Sequence, residues 1–470
     1  MIRTPAGLLV VTLLLAACAS APLPPQDLPA APAPAHWVAP LPHNGQSADL
    51  ARWWQQFDDP LLAELIAAAQ AASPTLAAAA SRIEQARATR TGAGAALGPA
   101  LDANASASRG RQDLALPLGN SASANLAASW EIDLFGGNRA GLKAAQARLE
   151  GAEASWHGAR VSLAAEVAGS YTTLRACESQ LLLAQQDAAS RAETARLTEL
   201  AANAGFVAPA NAALARASAA QGRGLVTQQR ARCEIEVKSL VELTALDEPA
   251  LRARLAPRSA QLPRPAQIGV QAVPAEVLAQ RPDLYSAARD VVAAAADTAQ
   301  AQAQRYPRVG LTGFVGPARF ETGTASLSGT LWSVGPVQVS LPLFDGGARS
   351  ANVEAARARY DEAASAYRGR LRGAVREVEQ ALVTLQSTAE REEDAKLAVA
   401  GFEDSLRATD ARYTRGLATL FELEDARRSA LQSNVALVDL QRERVAAWIS
   451  LYRALGGGWL PADLQAGTAE

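Results

Sequence analysis

The chain is poor in the residues from which catalytic and metal sites are built. It has three histidines and three cysteines in 470 residues. His36 and His43 fall in or just past a proline-rich stretch, and His157 lies inside a helical pattern with no Cys or His at metal-ligand spacing. Gly456-Gly-Gly458 follows a helix and lacks the strand-before, helix-after setting of a phosphate loop, so it reads as a helix stop ahead of Trp459 and Pro461. No Asp/Glu pair stands out from a helix-surface background. Net charge is also lacking: 45 basic residues offset 47 acidic ones, and no arginine-rich face points to nucleic acid. Past the first residues, no apolar run reaches the roughly 20 residues of a membrane-spanning helix. Proline is absent from Ala348 to Leu460. That absence permits very long helices, and the abundant alanine suits helices that approach one another closely.

The N-terminus carries Arg3 and the short apolar run LLVVTLLLAA, which ends at Leu15-Ala16-Ala17-Cys18. These four residues resemble the lipobox of bacterial lipoproteins. The resemblance implies that residues 1–17 are a signal peptide and that Cys18 becomes the acylated first residue. Ala19 behind it, rather than Asp, favours the outer membrane. Residues 18–48 then form a tether, in which APLPPQDLPAAPAPAHWVAPLP is extended and unpacked in character.

What remains is two copies of one unit. Pro74 and Pro99 overlay Pro282 and Pro307 at an offset of 208. AAQARLEGAEASW (144–156) overlays AARARYDEAASAY (355–367) at 211, as does Gly205-Phe206 on Gly416-Leu417. A unit of roughly 200 residues is too long for a solenoid repeat, so it is a duplicated half-domain, with repeats at 49–260 and 261–470. Each half opens with a helix (about 75–96 and 283–304) that closes at a proline. Two alternating stretches follow. Leu126, Ala128, Trp130, Ile132 and Leu134 share one face of the first half's second strand; Val337, Val339, Leu341 and Leu343 do so in the second half. A long helix then runs over about 139–203 and 349–414, on the order of 100 Å at 1.5 Å per residue. Gly205 and Gly416 are placed to end these helices. Pro209 suits the first position of one return helix, and Thr419-Leu-Phe-Glu422 reads as a capping box for the other.

Each half is therefore two strands and a hairpin of long helices. The strand faces alternate apolar and polar in the lipid-out, water-in manner of an outer-membrane barrel. Four strands cannot close such a barrel, and unpaired edges are not tolerated in a bilayer, so several chains must pool their strands.

With these features the chain resembles the TolC-like outer-membrane factors of tripartite efflux pumps, in their lipoprotein branch. The resemblance rests on VPAEVLAQRPDL (273–284), Tyr306-Pro307, EIDLFGGNRAGLKAAQARL (131–149), LPLFDGGARSANVEAARARY (341–360) and RYTRGLATLFELEDARRS (412–429). It implies a mainly α protein with a membrane β-barrel: a homotrimer whose 12-stranded barrel continues into a 12-helix periplasmic tunnel. Its implied partners are a periplasmic adaptor, an inner-membrane RND-type transporter and outer-membrane lipid; it implies no catalysis and no cofactor. The family's gate pattern falls on Arg412, Tyr413, Gly416, Leu417, Phe421 and Asp425. Threefold repetition would make Leu417 and Phe421 an apolar constriction, with Arg412 and Asp425 pairing between neighbouring hairpins. The plainer reading of these two charges is solvated residues on a helix flank. The first half departs from the pattern, with Ala201, Ala202 and Leu214 at the equivalent places.

Cys177 and Cys233 fall level, within about one helical turn, on the two arms that meet at residues 205–208. They read as a disulfide in an oxidising compartment or as two small buried thiols in an alanine-like seam. Two rival functions share parts of the pattern: a duct for type I protein secretion, and a lipid-anchored coiled-coil adaptor. Adaptors lack matched pairs of amphipathic strands ahead of each long helix.

Overall fold

The structure is a computed structural model that describes residues 34, 37–41, 50–57, 59–111, 118–265, 278–323 and 325–459. Cys18 and the rest of the signal segment lie outside the described residues. In chain order the α-helices and strands are α1 (Pro60–Ala72), α2 (Pro74–Ala95), β1 (Ala100–Gly110), β2 (Gly119–Ile132), α3 (Gly137–Asn203), α4 (Pro209–Thr244) and α5 (Glu248–Leu255), then α6 (Pro282–Ala303), β3 (Arg308–Thr322), β4 (Ala325–Ser340), α7 (Ala348–Tyr413) and α8 (Leu420–Ala454). From α2 and from α6 onward both halves run helix, strand, strand, long helix, return helix. Helices α3 and α7, of 67 and 66 residues, are uninterrupted by any kink-forming proline. Contacts divide the chain differently, into one compact unit of Ser81–Glu153 with Ser286–Gly369 and another of Pro32–Ala80, Ala154–Tyr285 and Arg370–Glu470.

The first unit contains the sheet. Its four strands lie in the order β1-β2-β3-β4, all antiparallel. Register places Leu101, Leu126, Val315 and Trp332 on one face, with Trp130, Leu311, Val337 and Val339 further along it. Asp102, Asn104, Ser106, Ser123, Asn125 and Thr312 take the other face, where Ser106 and Ser123 hydrogen-bond across the strands at 2.9 Å. At Gly316 a Cβ would meet the Ala124 carbonyl oxygen at 1.9 Å, so only glycine lets β3 approach β2 this closely.

The strands end earlier than their alternation implies. β2 stops at Ile132 and β4 at Ser340, so Leu134, Leu341 and Leu343 lie beyond the sheet. Pro342 has no N–H for a ladder. In both halves an aspartate just past the strand instead starts the long helix. Asp133 accepts from the Asn138 and Arg139 backbone N–H groups at 3.2 and 2.9 Å, and Asp345 from those of Gly347 and Arg349 at 3.0 and 3.1 Å. Arg139 and Arg349 pair with the same carboxylates. The Asp-Gly-Gly punctuation at 345–347, and its counterpart from Asp133, is thus a helix-starting device.

The second unit holds the largest core. Trp53 stacks on Tyr452 with ring centroids 5.0 Å apart, and Trp54 meets the same ring edge-on at 4.6 Å. Leu62, Leu65, Leu174, Leu240, Leu382 and Leu451, almost wholly buried, close around this cluster from five helices. The RPDL segment is held by Arg281, which is buried and binds the carboxylates of Asp283 and Glu377 and the Ala454 carbonyl at 2.8–2.9 Å. Elsewhere the α3–α4 seam is lined by alanine: Ala188, Ala195, Ala212, Ala215 and Ala219 are buried. No single helix among the described residues is long and apolar enough to cross a membrane.

Candidate functional site

The two helix hairpins of the second unit turn in the same way. Gly205 and Gly416 have φ of +77° and +73°, a conformation that glycine adopts without strain. In the first turn Phe206 N–H donates to Ala201 and Gly205 N–H to Ala202, at 2.8 and 3.0 Å. In the second, Leu417 donates to Arg412 and Gly416 to Tyr413, at 2.8 and 2.9 Å. These are the paired hydrogen bonds of a Schellman ending, repeated residue for residue. The restarts differ. Pro209 begins α4 without a side-chain cap, whereas Thr419 caps α8 with a reciprocal box through Glu422.

Around the second turn, Arg412 donates to the Leu417 carbonyl at 3.2 Å and stands 3.7 Å from Glu422. The Thr419 backbone N–H and hydroxyl, together with Arg412, hold the Glu422 carboxyl below its ordinary range. Leu417 and Phe421 are 67% and 71% exposed, two apolar side chains left without cover in the single chain. Asp425 pairs with Arg428 one turn along its own helix, and is not brought to Arg412 within the chain. Tyr413 faces the other hairpin: its hydroxyl lies 3.1 Å from Thr198 Oγ1, and its ring packs on the buried cluster of Ala195, Ala215, Ala219 and Leu420.

A second layer of charge, just behind the turns, was not singled out in the sequence. Arg191 on α3 donates to Asp187, to Ser218 on α4 and to Glu424 on α8, each at 2.7 Å. Glu424 also accepts from Arg427 at 3.1 Å, and Arg427 lies 3.7 Å from Asp410 on α7. Four helices are therefore joined through side chains between 5% and 15% exposed, apart from Asp410. Arg427 and Glu424 stand inside RYTRGLATLFELEDARRS. Arg191, the partner of Glu424 233 residues away in sequence, carries no local signal.

Farther along the first hairpin, Cys177 and Cys233 are joined as a disulfide with Cα atoms 5.5 Å apart. Gln229 donates to the Cys177 carbonyl and to Gln180, and Gln180 donates to Asp439 on α8. At the repeat-equivalent positions the second half has Thr388 and Arg444, the latter paired with Glu392.

This geometry has close counterparts. The family model described as outer membrane efflux protein matches residues 65–245 and 273–457. The chain belongs to that family. It is an outer-membrane efflux channel that extends into the periplasm. It is 33% identical over 474 residues to outer membrane protein OprJ of Pseudomonas aeruginosa, covering 96% of this chain and 95% of that one. With the pyoverdine export outer membrane protein OpmQ of Pseudomonas putida it is 31% identical, covering 96% and 97%. The open-state structure of the Neisseria gonorrhoeae MtrE channel superposes with a TM-score of 0.78 at 26% identity, over 93% of this chain and 98% of that one.

Proposed function

We propose that this chain is the exit duct of a tripartite pump that expels small molecules. In this reading it works as a homotrimer, with a periplasmic adaptor and an inner-membrane RND-type transporter as partners, and performs no catalysis. The observation that carries the assembly is the sheet. Among the described residues β1 and β4 are edge strands, and one sheet face is apolar from Val309 and Val339 up to Leu126, Val315 and Trp332. Such edges pair only by meeting those of other copies, and three copies supply twelve strands to a barrel that faces lipid with its apolar side. The export of pyoverdine named for one relative, and the toluene named for another, favour small molecules over proteins as cargo.

The same reading assigns the acylated Cys18 to anchoring and the second hairpin turn to closure. Threefold repetition turns the uncovered Leu417 and Phe421 into an apolar ring, and brings Arg412 of one copy toward Asp425 of the next. Two measurements test this together. Light scattering of the purified protein should give three copies per particle. A disruption strain should become sensitive to dyes, detergents and antibiotics, and regain resistance with the gene supplied in trans. A monomeric membrane protein, or an unchanged susceptibility profile in a strain without redundant ducts, would sink the proposal.

A further inference from the structure

The apolar face of the sheet does not stay apolar to the end of the strands. Register puts Arg109 opposite Asn120, and Asn120 opposite Glu321; Arg319 lies opposite Ala122, and Ala122 opposite Ala107. All these residues share the face of Leu126 and Val315. They occupy the strand ends next to the β1–β2 and β3–β4 connections, the end away from the long helices that follow β2 and β4. Here the surface forms a cleft of about 390 Å³, floored by Ala107 and Ala122 and flanked by Arg109 and Arg319.

Two physical points fix what this cleft meets, given the proposed orientation of the apolar face toward lipid. The first is height. From Val309 to Arg319 the strand advances ten residues, about 33 Å at 3.3 Å each. Tilted by the roughly 40° of an outer-membrane strand, that is about 25 Å, the height of the apolar band of such barrels. With Val309 at the periplasmic boundary, Arg319 reaches the outer one. The second is charge. An arginine on the lipid face is costly at mid-bilayer and nearly free at the interface, so the pair marks the head-group level. Arg319, 63% exposed, has Glu321 beside it, whereas Arg109 has no ion-pair partner among the described residues. Two guanidiniums against one carboxylate leave a net positive, fork-shaped donor set, which matches phosphate oxygens.

We propose that this cleft binds the phosphorylated head group of the glycolipid that forms the outer leaflet, with Arg109 and Arg319 holding its phosphates. The alanine floor leaves room for the sugar to lie against the sheet. Glu321 acts as a competitor for Arg319, and sets how tightly the lipid is held.

The inference rests on the barrel reading, and the experiment separates the two. Native mass spectrometry of the full-length protein would be run with diphosphorylated lipid A, with the same lipid stripped of its phosphates, and with inorganic phosphate alone. About a tenfold preference for the phosphorylated lipid is expected, the scale of one charge-assisted hydrogen-bond pair. Arg109→Ser with Arg319→Ser should abolish the preference. Glu321→Gln should increase it, a gain that misfolding cannot produce. Equal retention of both lipids, an unchanged preference in the double variant, or displacement by excess inorganic phosphate would overturn the assignment. Quenching by brominated acyl chains reports on the barrel itself, through the part of the tryptophan signal lost in Trp332→Phe. If Trp332 is quenched and the preference is absent, only the phosphate site fails. If Trp332 is not quenched, the orientation of the sheet fails and takes the site with it.

Discussion

Glu424→Gln is the sharpest probe of how the hairpin tips are held. The carboxylate accepts from Arg191, Ser218 and Arg427, and its side chain is 15% exposed. Removing one partner of a buried pair costs about 3–5 kcal/mol when the opposite charge is left alone. Neither arginine is left alone here: Arg191 keeps Asp187 at 2.7 Å, and Arg427 keeps Asp410 at 3.7 Å. The loss is then nearer to that of one charge-assisted hydrogen bond, about 2 kcal/mol. Such a change raises the population of locally opened tips roughly 30-fold. Trypsin reads that population, because Arg216 and Arg407 lie within α4 and α7 and are cut only when the helices unwind there. Cleavage at both sites should accelerate about 30-fold in Glu424→Gln while total helix content stays unchanged. Rates within about twofold of the wild type would show that the four-helix cluster contributes nothing to holding the tip.

Other perturbations have equally definite outcomes. Arg412→Ala with Asp425→Ala should raise single-channel conductance in planar bilayers and sensitise cells to large antibiotics, whereas Ala201 and Leu214 substitutions should do much less; wild-type conductance from an assembled double variant places the constriction elsewhere. Cys177→Ser with Cys233→Ser opens a loop of 56 residues and should lower unfolding stability by at most about 4 kcal/mol, read as a fall in Tm without loss of assembly. Because Glu422 titrates below its ordinary range, its cap is intact above that range and is lost as pH falls through the lowered value. Amide protection at Glu422 and Leu423, taken relative to the intrinsic exchange rate at each pH, should therefore fall as the carboxyl is protonated, and Glu422→Gln should remove that pH dependence. Cys18→Ser should abolish palmitate labelling, leaving barrel insertion to the strands.

Much of the architecture was written in local pattern. A proline-free stretch, an internal offset, and glycines at the repeat-equivalent positions 205 and 416 determine helix lengths and turns, because each acts over a few residues of backbone. Alternation along Leu126–Ile132 likewise determines which strand face is apolar. The exact strand ends were not legible, since Pro342 and the helix-starting Asp133 and Asp345 compete with an alternation that runs on past them. What only the tertiary structure decided is which distant side chains meet. Arg191 finds Glu424, Tyr413 finds Thr198, and Arg109 shares a rim with Arg319, each across a separation that no periodicity encodes. Helix packing and strand register set these pairings: a side chain's partner depends on the rotation and axial position of two elements, and a one-residue slip of a strand would turn Arg319 to the opposite face.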